Sequence, residues 1–140
     1  MAITRKRGDT SANRRRQAMR SCAEVLRLLA LRQQVDTEAR DMIAFLAFNL
    51  RIIYQTIEES AAAWDDRNYW RKAEKLRHQW RWSKQTAQKL EQLLINQQWE
   101  DIPPVLISLI PYFEHITIDR LTRNSDWWCG AYSALLRKLT

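Results

Sequence analysis

Apolar residues recur at every third or fourth position through most of the chain, which is the pattern of α-helices that bury one face. The most regular stretch predicts a helix from Asp36 or Thr37 to about Ala63. Its apolar positions form a sustained heptad seam: Ala39, Ile43, Leu46, Leu50, Ile53 and Ile57. A second seam predicts a helix from about Arg67 to Gln98: Tyr69, Ala73, Leu76, Trp80, Ser83, Ala87, Leu90 and Leu94. At 1.5 Å per residue this helix would span roughly 48 Å. We expect it to pack against its predecessor as a long antiparallel hairpin, with the turn at Trp64-Asp65-Asp66.

Shorter helices are predicted on both sides of this hairpin. The first begins at Thr10 or Ser11, either of which can cap it, and ends near Gln33. Another follows Pro103-Pro104, and Pro111 should kink or break it. The last begins near Asn124 or Ser125, and Gly130 either allows close helix packing or breaks the helix. The two most apolar windows, Met42 to Ile57 and Ile102 to Ile118, are predicted to be core helices.

These elements define an all-α fold. We predict an up-down helical bundle of four to five helices, in which residues 12–140 form one domain and residues 1–11 a mobile basic arm. The chain has only two glycines and no Asn-Gly or Asp-Gly pair, which argues against β-hairpins.

The net charge of +7 is concentrated in two segments. Residues 1–20 hold seven Lys/Arg against one Asp, and residues 67–89 hold eight Lys/Arg against one Glu. Such asymmetry concerns binding partners more than the fold.

The third predicted helix is the main candidate for a binding surface. At 100° per residue, one flank of its seam holds Trp70, Arg77, Arg81 and Lys84, and the opposite flank holds Arg71, Lys75, Trp82 and Lys89. Each flank therefore combines a tryptophan with cations, a pairing that suits an acidic protein partner or the bases and phosphates of a nucleic acid. The alternative is a solvated basic surface whose off-seam tryptophans are covered by another helix.

The basic N-terminal segment is a second candidate surface: Arg5, Lys6, Arg7, Arg14, Arg15 and Arg16. It could follow a phosphate backbone, or it could contact anionic lipid or an acidic protein. No helix-turn-helix, zinc-finger or RNA-recognition signature accompanies it. We therefore predict a non-enzymatic adaptor or regulatory module that binds a protein partner. A nucleic-acid-binding protein is the alternative.

Candidate chemistry is sparse elsewhere. His78 and His115 are the only histidines, and neither Cys22 nor Cys129 has metal-ligand spacing to another residue. The sequence thus predicts no metal, no cofactor and no catalytic residue. Since neither an export signal nor a transmembrane segment is evident, we expect reduced cysteines and a cytoplasmic location. Apolar residues beside the seam of the second helix leave homodimerisation open: Phe45, Phe48, Ile52 and Tyr54.

Overall fold

The structure, a computed structural model, describes residues 10–139, and all regular secondary structure in this range is helical. The elements are α1 (Ser11–Ala30), α2 (Thr37–Asp66), α3 (Trp70–Ile95), a 3-10 turn (Trp99–Asp101), α4 (Ile102–Phe113), α5 (Ser125–Trp128) and α6 (Ala131–Leu139). The predicted all-α bundle is confirmed, as is the long hairpin formed by α2 and α3. No helix of the described range is long and apolar enough to cross a membrane.

The central element is α2, which contacts α1, α3, α5 and α6. The side chains of its heptad seam are fully buried: Ile43, Leu46, Leu50, Ile53 and Ile57. Phe45 lies beside this seam, where Trp127 and Trp128 of α5 contact its ring, and Phe48 lies under Lys138 of α6. Two of the four apolar side chains that suggested a dimer, Phe45 and Phe48, are thus contacted by the chain's own C-terminal helices, whereas Ile52 is exposed.

The predicted N-caps of the first two helices are both present. The Thr10 hydroxyl accepts a hydrogen bond from the Asn13 amide at 3.1 Å, and the Asp36 carboxylate accepts one from the Ala39 amide at 2.8 Å. Each side chain satisfies a backbone donor that has no partner within its helix, which is why Ser, Thr, Asp and Asn favour this position.

The predicted turn at Trp64-Asp65-Asp66 is wrong, because α2 continues to Asp66. The reversal occurs at Asn68, whose φ of 64° lies in the left-handed region. There the Tyr69 amide donates to the Trp64 carbonyl at 2.9 Å and the Asn68 amide donates to the Asp65 carbonyl at 2.9 Å. This is a Schellman closure, and asparagine tolerates its left-handed residue. As a result α3 begins only at Trp70, and its 26 residues span about 39 Å.

The prolines of α4 are accommodated within the helix, whereas Gly130 interrupts the predicted last helix. Pro103 and Pro104 occupy the first turn of α4, as predicted, whereas Pro111 lies inside its last turn without breaking it. Gly130 has a φ of 79° and separates α5 from α6, so the predicted last helix is two helices. The Asp41 carboxylate of α2 then accepts from the amides of Gly130 and Tyr132, which fixes the start of α6.

A buried carboxylate attaches the segment after α4 to α1. Glu24 has no solvent exposure, and its oxygens accept from the Arg20 guanidinium, from the Thr122 amide and hydroxyl, and from the Arg123 amide, at 2.6–2.9 Å. Burial by itself would raise the pKa of Glu24, but these hydrogen bonds lower it overall. The Arg123 guanidinium in turn donates to Ser21 of α1.

Replacement of Glu24 by glutamine should lower the free energy of unfolding at pH 7 by about 3 kcal/mol, because Arg123 and its neighbours would lose a buried anion. A lowered folded-state pKa contributes stability above the ordinary glutamate value of 4.5, and that contribution is lost as the pH falls through the folded-state pKa. The deficit of Glu24→Gln should therefore shrink in acid. Urea unfolding at pH 7 and at about pH 3 measures both effects.

The control Glu38→Gln, at an exposed ion pair with Arg32, should change the free energy of unfolding by less than about 0.5 kcal/mol. A deficit independent of pH would contradict the assignment.

The end of α3 repeats the Schellman closure with a less suitable residue. Gln97 has a φ of 55°, and the Gln98 amide donates to the Leu93 carbonyl at 2.9 Å. Glutamine has a Cβ and lacks the short polar side chain that makes the left-handed region tolerable for asparagine.

Replacement of Gln97 by glycine should therefore raise the free energy of unfolding by about 1 kcal/mol. Asn96→Gly is the matched control, because Asn96 has a φ of −83° and gains nothing from glycine. Thermal unfolding of both variants checks this. An equal or lower melting temperature for Gln97→Gly than for Asn96→Gly would contradict it.

Candidate interaction surface

Five of the six predicted cations of α3 are exposed: Arg71, Lys75, Arg81, Lys84 and Lys89. Lys72, near the start of the helix, is exposed as well. They are exposed because Ala73, Ser83 and Ala87 of the same helix turn toward α2 and are fully buried. Within residues 10–139 none of the five forms an ion pair, although Lys84 lies 5.5 Å from the Tyr54 ring centroid. The predicted charge of this helix is therefore accessible.

The two carboxylates of α3 do not offset this charge. Glu91 is buried and accepts two hydrogen bonds from Arg51 of α2, at 2.9 and 2.6 Å. Glu74 accepts from Arg77 at 3.1 Å. Since both are matched by arginines within the described chain, the outer side of α3 is electrostatically positive.

Arg77 differs from the other cations of the predicted binding surface. Its guanidinium contacts three carboxylates, those of Glu58, Asp65 and Glu74, at 2.8–3.3 Å. The hydrogen bond to Asp65, together with those to Glu58 and Glu74, raises the pKa of Arg77. This residue joins the end of α2 to the start of α3, and an external ligand would have to displace three anions to reach its charge.

Trp82 is held by α4. Its ring stacks on Tyr112 with centroids 4.0 Å apart and an interplanar angle of 13°, and Phe113 meets its edge at 5.7 Å. The two predicted flanks of α3 are thus separated, because the flank with Arg77 and Lys84 faces α2, while the flank with Trp82 faces α4. Lys75 and Lys89 are each seven residues from Trp82, so they lie in line with it along α3.

Trp70 is 61% exposed and lies at the tip of the hairpin, with the Arg71 guanidinium 5.3 Å from its ring centroid. The neighbouring cation Lys72 also lies over aromatic rings: its Nζ is 4.7 Å from the Trp64 ring centroid and 5.4 Å from the Tyr69 ring centroid. Lys72, Trp64 and Tyr69 were not among the predicted site residues. The sequence pattern that could have indicated them is the mixture of aromatic and basic residues across positions 64–72. These side chains come together only because the turn lies at Asn68.

The outer side of α4 is an exposed surface that the sequence analysis missed. Residues 102–113 contain no charged side chain, and the segment was expected to be a core helix. Only Ile102, Leu109 and Phe113 are buried. Seven residues of α4 are exposed, and among them only Ser108 and Tyr112 carry a polar group, in each case a hydroxyl: Pro103, Pro104, Ile107, Ser108, Ile110, Pro111 and Tyr112. The expectation of a core helix is therefore wrong, because α4 is peripheral and packs mainly against α1, α3 and the 3-10 turn.

Three of the predicted basic N-terminal residues, Arg14, Arg15 and Arg16, lie within α1. Arg14 and Arg15 belong to the first turn of α1 and contact α2: Arg14 pairs with Glu59 at 2.8 Å, and Arg15 donates to the Thr56 and Ser60 hydroxyls. Arg16 contacts Asn13 of its own helix at 3.3 Å. Cations at a helix N-terminus oppose its dipole, and the carboxylate of Glu59 offsets that cost. Arg5, Lys6 and Arg7 lie outside the described residues.

Residues that could carry chemistry are isolated from one another. In the described part of the chain, no group of three or more His, Cys, Asp or Glu side chains is arranged to hold a metal ion. Cys22 and Cys129 are free thiols; burial raises the pKa of Cys22, while Cys129 is exposed. A buried thiol of raised pKa is a poor nucleophile.

Comparison with known proteins finds no family model that matches the chain and no curated protein or solved structure with significant similarity to it.

The structural role of Arg77 can be tested against that of its neighbour Arg81. Arg77→Gln should lower the free energy of unfolding by about 1 kcal/mol, because three carboxylates would lose their common partner. Arg81→Gln, which removes an exposed cation without an ion pair among residues 10–139, should change it by less than about 0.5 kcal/mol. Urea unfolding of both variants measures the difference, and equal effects would show that the three contacts add nothing to stability.

Proposed function

We propose that the chain is a non-enzymatic interaction module that binds an acidic protein partner through α3 and α4. The α3–α4 surface consists of Lys75, Trp82, Lys89, Ile107, Ile110 and Tyr112. The observation that carries this proposal is the exposed, uncharged side of α4. It extends from Tyr112, which stacks on Trp82 of α3 at 4.0 Å, around the helix to Ile107 and Ile110 beside α1.

An exposed apolar helix is costly in water unless something covers it. Ile107 is 65% exposed and Ile110 47%, and no charged residue of α4 interrupts them. Contiguous exposed apolar surface on a soluble domain is typical of protein interaction sites. Protein interfaces combine an apolar centre with a polar rim, and tyrosine and tryptophan are enriched among their strongest contacts.

The cations define the chemistry of the partner. Lys75 and Lys89 lie on either side of Trp82 along α3, and neither has an ion pair among residues 10–139. A partner that presents carboxylates around an apolar centre would match this arrangement, and complementary charges would also accelerate its association. The proposal includes a cytoplasmic location, which the two free cysteines support.

A nucleic-acid-binding function is the second candidate, and the exposed Trp70 beside Arg71 favours it. An indole face can stack on a base while a guanidinium contacts phosphate. Phosphate contacts do not account for the uncharged side of α4, and for this reason we place the protein partner first.

The proposal is tested by capture from the native host, with and without nuclease, followed by affinity measurement on the captured partner. Ile107→Ser and the double variant Lys75→Gln/Lys89→Gln should each weaken binding, the first by about 30-fold if Ile107 is a central contact. The matched controls are Leu139→Ser, an exposed apolar residue of α6, and Arg137→Gln/Lys138→Gln, two cations outside α3. Both controls should bind like the wild type.

Three outcomes are informative. Loss of capture after nuclease treatment, with a binding constant that falls steeply as salt rises, would favour the nucleic-acid function instead. Recovery of only the chain itself, weakened by Ile107→Ser, would identify α4 as a homodimer interface and not a surface for an acidic partner. Equal binding by α4 variants and controls would exclude the α3–α4 surface.

A further inference from the structure

A polar cleft lies between α1 and α2, away from the residues of the α3–α4 surface. Its volume is about 510 Å³, within the range of small-molecule sites. Ser21, Asn49 and Arg123 line it as buried residues, with exposures of 3%, 6% and 9%. Polar side chains are rarely this buried unless something satisfies them.

Asn49 is the least satisfied of these groups. Its side-chain amide donates to the Phe45 carbonyl at 2.8 Å, but its amide oxygen accepts no hydrogen bond from residues 10–139. That oxygen is accessible to solvent, and Asn49 lines the cleft. The cleft therefore presents a free acceptor from a side chain that is 94% buried.

Three further carboxamides line the same cleft: Asn13, Gln17 and Gln55. The side-chain oxygen of Asn13 already accepts from Arg16. Gln17 accepts from the Arg123 guanidinium through its side-chain oxygen at 2.9 Å, which leaves its NH₂ group to donate. Gln55 is exposed and makes no side-chain hydrogen bond within the described range. Together with Asn49, these groups offer an array of both donors and acceptors.

The charges of the cleft are already matched. Arg14 makes two hydrogen bonds with Glu59, at 2.9 and 2.8 Å. The guanidinium of Arg123 donates to Ser21, Thr122 and Gln17, and it lies 3.8 Å from the carboxylate of Glu24. An anionic ligand would have to compete with these partners, so the geometry favours a neutral one.

Trp127 supplies a flat apolar wall. Its indole is 50% exposed, the Arg123 guanidinium lies 4.6 Å from its ring centroid, and Phe45 contacts its edge at 6.5 Å. These contacts hold the ring at the cleft, of which Trp127 is a lining residue. No acidic side chain is among the described residues that line the cleft, so carboxylate acceptors for sugar hydroxyls are lacking.

We propose that this cleft binds a neutral, planar heterocycle with a mixed donor–acceptor edge, that is, a nucleobase. Asparagine and glutamine carboxamides pair with base edges because both present a donor beside an acceptor. Aromatic side chains add the stacking that every base offers. The site is independent of the proposed partner-binding surface, and neither requires the other.

The test is an NMR titration of the ¹⁵N-labelled chain with adenosine, inosine, cytidine and uridine, which carry no phosphate and so do not probe the cations of α3. At least one nucleoside should give saturable shifts of the carboxamides of Asn49 and Gln55 and of the indole N–H of Trp127. Trp127→Ala and Gln55→Ala should each lower the affinity for that nucleoside by about tenfold, which is the contribution of one stacking contact or one good hydrogen bond.

The matched control is Gln88→Ala, an exposed glutamine of α3, which should leave the affinity unchanged. Circular dichroism confirms that each variant is folded, and the exposed Gln55 provides a variant that should fold even if Trp127→Ala does not. The proposal is overturned if no nucleoside gives saturable shifts or if the shifts map to α3. It is also overturned if methyl glucoside produces the same shifts with equal affinity.

Discussion

Burial of the α2 seam is the constraint on which the rest of the bundle depends. Ile43, Leu46, Leu50, Ile53 and Ile57 have no solvent exposure, because α1 and α3 cover the helix along its length and the C-terminal helices cover its first half. Each such aliphatic side chain contributes about 2 kcal/mol relative to exposure, so together they are comparable with the net stability of a small domain. The other helices are placed by this surface.

The arginines of the chain divide into those that join helices and those that face outward. Arg15, Arg51 and Arg77 each contact a neighbouring helix, and Arg123 anchors the segment before α5 to α1. Part of the net charge is therefore committed within the fold. What is left for a partner is concentrated on α3, where the carboxylates of Glu74 and Glu91 are already occupied.

The two proposed surfaces differ in their physical character. The α3–α4 surface is apolar and positively charged, which suits a macromolecule with an acidic rim. The cleft between α1 and α2 is concave, with balanced charges and free carboxamide groups, which suits a small neutral ligand. Both lie at the periphery of the bundle. α4 is left exposed because α2 is covered by other helices, and the cleft is lined by α1, α2, Arg123 and Trp127.

The sequence by itself determined the helical fold and the α2–α3 hairpin, and it narrowed the first two N-caps to Thr10 or Ser11 and to Asp36 or Thr37. Heptad spacing and capping are local properties that act over one or two turns. It also located the exposed cations of α3, since their angular positions follow from the helix period.

Tertiary structure decided the remainder. The hairpin turn depends on a left-handed residue at Asn68 that no spacing rule specifies. Whether an apolar segment is core or surface depends on what other segments cover, and for that reason α4 was misjudged. The stacking of Trp82 on Tyr112 and the unsatisfied oxygen of Asn49 arise from contacts between residues 30 or more positions apart or from enclosure by several helices, and a one-dimensional pattern contains neither.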